Sequence, residues 1–149
     1  MLARVEYSVT VPVTVDAAFQ AFQDLERLLN RGIYDEVLWI EGTPWQVGSR
    51  LRYFVVRPVR ATASAVVTSV DPPRSISMLN HSLGITGEQN VSFDPDLHGG
   101  TRVSMTVDFV GKSSELSESA IHEAATFLAK DALDTMAVLC RRRASGSAS

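Results

Sequence analysis

Disulfide chemistry is closed to this chain: its 149 residues include one cysteine, Cys140, so no intrachain bridge can form. That usage fits a reducing compartment. Long hydrophobic runs are also missing. Nothing approaches the roughly 20 consecutive apolar residues of a membrane-spanning helix, so no integral membrane association is expected. From Arg4 onward the chain passes straight into an alternating segment. This argues against a secretory leader, and the expectation is a cytoplasmic protein. Charge of one sign is not in excess either. The 14 Lys and Arg against 17 Asp and Glu leave a net charge of −3, which gives no global pull toward nucleic acid or an anionic membrane. No internal repeat is present.

What remains is ordinary globular material. A hydrophobic fraction of 45% and a charged fraction of 21% in 149 residues suit one domain with a real core. Most of the chain reads as short strands. Residues 4–11 alternate, with Val5, Tyr7, Val9 and Val11 on one face and Arg4, Glu6, Ser8 and Thr10 on the other. After Pro12, Asp16 is the expected N-cap of a short helix carrying Ala17, Ala18, Phe19, Ala21 and Phe22. A second short helix is expected over 24–29. Further strands are expected at 36–41, 48–57, 60–70, 74–82, 88–94 and 101–110, separated by Gly- and Pro-containing turns. The strand at 101–110 is the clearest, with Val103, Met105, Val107 and Phe109 on one face.

One run is long enough for a major helix, residues 115–143. Its apolar stripe is Ala120, Ile121, Ala124, Phe127, Leu128, Val138 and Leu139, with Ser114 as N-cap. Glu115 and Glu118 at its start and Arg141 to Arg143 at its end suit the helix dipole. Residues 144–149 read as a disordered tail. The expected architecture is α+β: a curved antiparallel sheet of six to seven strands wrapped around the long C-terminal helix, with two short helices after strand one. A strongly curled sheet around a single helix cannot close at its wide end, so a cavity between them is expected.

Four segments carry a family resemblance. They are Val13-Thr14-Val15-Asp16-Ala17-Ala18-Phe19 after the opening strand, Gly48-Ser49-Arg50-Leu51-Arg52, Val70-Asp71-Pro72-Pro73-Arg74, and Gly99-Gly100-Thr101-Arg102-Val103. At matching places these resemble the START/SRPBCC superfamily, and within it the bacterial polyketide cyclase/dehydrase-like and lipid-transport-like members. The resemblance spans residues 3–143 as a single ligand-binding domain. It implies the helix-grip fold and a pocket for a hydrophobic ligand, with no fixed catalytic set; separately, no cofactor is expected. The segment Leu28-Leu29-Asn30-Arg31-Gly32-Ile33-Tyr34 departs from a pattern that often carries a Trp and a Pro, so the cavity mouth does not carry over.

Several side chains compete for a functional role. His122-Glu123 opens like a zinc-protease motif, but the second histidine position is Thr126. His81 and His98 lack partners at ligand spacing, so no metal is assigned. Nothing near Cys140 in sequence lowers its pKa, and it is not proposed as a nucleophile. Arg50, Arg52 and Arg141 to Arg143 read as solvated. Asp35 and Glu36 are strand neighbours facing opposite ways, which argues against an acid/base pair. Tyr53, Asn80, Ser82 and Gln89 share strand faces with apolar residues and suit the few polar groups of an apolar pocket. Tyr53, Asn80, Gln89 and Asp131 are expected to converge across the cavity, between walls from Phe22, Met78, Val91, Met105 and Phe127. Asp131 falls within about 20° of Ala124 on a helical wheel. Three outcomes are open for it: an ion pair with Arg57, the best cationic partner by strand parity, hydrogen bonds from Tyr53 or Asn80, or solvation at the cavity rim. Enclosed without a cation, it is the best acid/base candidate in the chain.

Three functions remain in competition. The first is a noncatalytic binder or carrier of a small hydrophobic molecule, lipid-like or polyketide/aromatic. The second is a polyketide cyclase/dehydratase-type enzyme. The third is a protein-interaction module, for which Leu133 and Met136, off the expected stripe, offer a homodimer contact.

Overall fold

The computed structural model describes residues 3–25, 29, 32–57, 60–114 and 116–146. Seven strands form one sheet: β1 (Ala3–Val11), β2 (Tyr34–Glu41), β3 (Arg50–Val55), β4 (Ala61–Asp71), β5 (Ser75–Ser82), β6 (Ile85–Pro95) and β7 (Thr101–Gly111). Two helices accompany them, α1 (Val15–Gln23) and α2 (Glu118–Ala144). The strand order is β1-β7-β6-β5-β4-β3-β2, and every neighbouring pair is antiparallel. β2 to β7 therefore form a meander, and β1 crosses back to pair with the last strand. This is the α+β sheet-and-helix arrangement expected from the sequence, with α2 lying along β1 and touching β7 and α1.

Local chemistry moves several boundaries. Thr14 caps α1 in place of Asp16: its hydroxyl accepts from the Ala17 N–H at 3.2 Å, and Asp16 sits in the first turn. Ser117 caps α2 in place of Ser114, accepting from the Ala120 N–H at 3.1 Å. Each cap stands three residues before the N–H it satisfies, and several hydroxyls or carboxylates competed for that role. α2 runs through Ala144 to a C-cap at Ser145, so residues 144–146 belong to the helix end rather than to a tail. Residues 147–149 lie outside the described residues, as do residues 26–28 of the expected helix over 24–29. β6 starts earlier than expected, at Ile85. The β5–β6 turn needs only Leu83 (φ 53) and Gly84 (φ 81), consecutive left-handed residues of the kind that join twisted strands tightly. A Cβ on Gly84 would lie 2.5 Å from the Lys112 carbonyl oxygen.

The core lies between the concave sheet face and the helices. Val103, Met105 and Val107 alternate inward along β7, and Phe19, Phe22 and Phe93 form an edge-to-face aromatic cluster under α1. The buried Thr101 hydroxyl donates to the Val13 carbonyl at 2.8 Å, tying β7 to the lead-in of α1.

The inward face of α2 differs from the expected stripe. Ile121, Ala129, Ala132, Leu133, Met136, Ala137, Leu139 and Cys140 are buried, whereas Phe127 is 44% exposed and Val138 is 41% exposed. Ala124 and Leu128 are half-buried, as are Val9 and Phe109 on the sheet. Leu133 and Met136 are fully enclosed within the domain and offer no dimer contact. The first half of the inward face is largely alanine, which carries little hydrophobic signal. The bulky Phe127 therefore pulls a wheel assignment toward the wrong side.

Candidate functional site

Between the sheet and α2 lies a cavity of about 240 Å³. That exceeds the ~150 Å³ at which an apolar cavity stays dry and takes up benzene. Its sheet wall follows the two-residue period: Leu51, Tyr53 and Val55 on β3; Ala61, Ala63 and Ala65 on β4; Met78, Asn80 and Ser82 on β5; Ile85, Gly87 and Gln89 on β6. Met105, Val107 and Phe109 continue it on β7. α2 contributes mainly small side chains, among them Ala124, Ala125, Ala129 and Ala132. The void follows from this pairing, because alanine on β4 faces alanine on α2 and neither fills the gap.

The polar groups are few. The Tyr53 hydroxyl donates to Asn80 Oδ1 at 3.2 Å. Gln89 Nε2 makes a long 3.9 Å contact with the Met78 sulfur. The Ser82 hydroxyl turns away and donates to the Thr62 carbonyl at 3.0 Å. Tyr34 stacks edge-on to Tyr53 with ring centroids 6.0 Å apart. Burial pushes the Tyr53 phenol up to about 12. Tyr34 is raised as well, by burial first, then by Tyr53 and Asp131. Both phenols are therefore neutral donors near pH 7.

Leu29, Tyr34, Val37 and Trp45 form a partition, lining both this cavity and an outer groove beside α1 and β2. Trp45 adopts a left-handed backbone (φ 66), and its indole N–H donates to the Gln23 carbonyl at 2.8 Å. Its ring packs on Trp39 and Phe22, with centroids 5.1 and 5.5 Å apart.

The structure brings together Phe22, Tyr53, Met78, Asn80, Gln89 and Met105 as lining residues, and it places three other candidates elsewhere. Val91 is 1% exposed within the hydrophobic core and does not line the cavity. Phe127 faces outward on α2. Asp131 does not line the cavity and does not meet Tyr53, Asn80 or Gln89. The inward face of α2 is rotated from the expected stripe, of which Ile121, Ala124 and Leu128 still line the cavity, and Asp131 falls beyond its edge. One of its carboxylate oxygens, Oδ2, is shielded from solvent without a hydrogen-bond partner among the described residues. Burial, and secondarily Asp134, raises its pKa. Arg57 is exposed and forms no ion pair with it among the described residues.

Sequence reasoning missed Tyr34, Gly87 and the β4 alanines as cavity residues. The alanines had a signal: Ala61, Ala63 and Ala65 recur at period two, and a strand face of methyl groups opposite an alanine-rich helix is what a hollow requires. No cluster of three or more His, Cys, Asp or Glu at metal-binding distances occurs among the described residues. No helix among them is long and apolar enough to cross a membrane.

Among curated proteins none matches the chain. Solved structures do. An aromatase/cyclase (ZhuI) from a Streptomyces species superposes with a TM-score of 0.80 at 16% identity, covering 98% of this chain and 99% of that one. The protein Ara h 8.0201 gives 0.75 at 14% identity, covering 93% and 97%. A point mutant of norcoclaurine synthase from Thalictrum flavum, in complex with a transition-state analogue, gives 0.73 at 15% identity, covering 95% and 96%. At such identities the likeness is one of fold, the helix-grip fold. The model of the family described as polyketide cyclase/dehydrase and lipid transport matches residues 3–142, and the chain belongs to that family.

Proposed function

We propose that this protein binds a small, predominantly apolar molecule in the cavity between the sheet and α2. The observation that carries the reading is the wall itself: a void of about 240 Å³ with aliphatic and aromatic sides and one coupled polar pair, Tyr53 and Asn80. Burying apolar ligand surface there would drive association at roughly 25 cal/mol per Å² before the entropic costs of binding. The polar pair would orient the ligand.

Binding is favoured over cyclase or dehydratase chemistry by the groups that line the cavity. Among the described residues its titratable side chains are Tyr34 and Tyr53, and both are held protonated. A general base poised near neutrality, which abstraction of a substrate proton requires, is not among them. Asp131, the expected candidate, stands outside the wall.

The test is titration with the neutral fluorophore phenylnaphthylamine, comparing the native chain with Ala125→Leu. Ala125 lines the void from α2, and a leucine there occupies ligand space. Saturable, blue-shifted emission in the native protein and its loss in a folded Ala125→Leu variant are expected. Equal emission from both proteins would overturn the reading.

A further inference from the structure

We propose that the cavity selects uncharged ligands bearing a hydrogen-bond acceptor, and that Asn80 Nδ2 is the donor that seats that acceptor. This rests on the binding reading above and adds the ligand's charge state and its anchoring group.

Two observations on the wall lead there. The first concerns donors. Tyr53 spends its hydroxyl proton on Asn80 Oδ1 at 3.2 Å, so the carbonyl side of the amide is engaged. The amide is then held in one orientation, and its Nδ2, which has two N–H groups, has no acceptor among the described residues. Asn80 lies directly across the β5–β6 ladder from Gly87. A Cβ at Gly87 would meet Phe109 Cε1 at 3.0 Å and Val107 Cγ1 at 3.2 Å, so these two side chains lean over the glycine and form an apolar wall across from the amide. Glycine lets that apolar wall close up across the ladder from an unspent donor.

The second concerns charge. Among the described residues the lining includes no Asp, Glu, Lys, Arg or His. An ionised carboxylate or amine entering the cavity would leave water for apolar walls without a counter-ion, the most unfavourable transfer a ligand can make. A neutral acceptor such as a carbonyl or ether oxygen exchanges one water hydrogen bond for one from Asn80 and buries its hydrocarbon. The two observations point the same way: the site has a donor to give and no charge to offer.

Three probes that share one ring system separate the possibilities by calorimetric titration: fluorene, fluorenone and fluorenecarboxylic acid. Near pH 7 fluorenone should bind about tenfold tighter than fluorene, the worth of one net hydrogen bond. The ionised acid should bind at least about a hundredfold more weakly than the ketone, recovering as it is protonated at low pH. In Tyr53→Phe/Asn80→Leu, which also removes the hydroxyl that a single substitution would free, the preference for the ketone should vanish while fluorene still binds. In Asn80→Asp the Tyr53 bond has its acceptor but the outgoing donor is gone, and the ketone should lose its advantage there too. Equal binding of ketone and hydrocarbon by the native protein, or tightest binding by the carboxylate, would overturn the inference and leave cavity binding intact. Failure of all three probes would count against both.

Discussion

Met136 and Phe127 stand on opposite sides of α2: Met136 is fully enclosed between helix and sheet, and Phe127 is 44% exposed. Nine residues at 100° each put them half a turn apart, so only one can face the sheet. Met136→Ala should therefore cost about 2–5 kcal/mol of folding stability, as expected for a large-to-small change in a packed core. Phe127→Ala should cost under about 1 kcal/mol. Chemical denaturation of both variants checks the helix phase. Equal losses would contradict it.

Alkaline titration tests the environment of Tyr53. Its phenol is pushed up to about 12 in the folded chain by burial, against about 10 when unfolded. The folded state therefore holds this proton more tightly. The resulting stabilisation is fully present below pH ~10 and is lost as pH rises from there through ~12. Its size is on the order of 2–3 kcal/mol. Tyr53→Phe should flatten that part of the stability–pH curve while leaving the slope due to Tyr34. An unchanged alkaline slope would place Tyr53 in contact with solvent.

Asp131 gives a prediction of opposite practical sense. Its pKa is raised by burial and then by Asp134, and Oδ2 is shielded without a partner among the described residues. A carboxyl with a raised folded pKa favours folding when protonated. That contribution is present below the unfolded value and is lost as pH rises through the folded one. At neutral pH the charged group is therefore a small burden. Asp131→Asn should be neutral to stabilising near pH 7, by under about 1 kcal/mol because the residue is partly solvated. The difference should shrink toward pH 3. Marked destabilisation at neutral pH would mean that the carboxylate is held by a partner.

The helix-grip architecture was readable because strand alternation is a strong signal. Val5 to Val11 and Val103 to Phe109 announce their faces, and the turns at Asp71-Pro72-Pro73 and around Gly84 separate them. Six of the residues expected around the cavity line it, since strand parity fixes which way Tyr53, Met78, Asn80, Gln89 and Met105 point once the sheet is known. Helix phase was harder. In the first half of α2 the inward face is largely alanine, whose apolar signal is weak, and Phe127 outweighed it. The same error carried Asp131 inward. Val91 failed for another reason: parity tells which face a residue takes, but not whether that part of the face is packed or hollow.

The pin between α2 and the sheet edge is measurable on its own. The Tyr7 hydroxyl on β1 donates to Asp134 Oδ1 on α2 at 2.7 Å. Tyr7→Phe removes a bond to a charged acceptor and should cost about 1.5–3 kcal/mol. Hydrogen exchange should report faster opening along α2. Unchanged stability and exchange would mean that the bond contributes nothing beyond what water supplies.

The central claim is that the hollow between alanine-faced β4 and alanine-faced α2 holds a small apolar molecule. Native mass spectrometry of the purified protein, followed by organic extraction, addresses it most directly. A discrete adduct should accompany the native chain, pass into the organic extract as an uncharged compound, and be missing from folded Ala125→Leu. A native chain found only at its bare mass, with nothing extracted and no uptake of phenylnaphthylamine, would contradict the account.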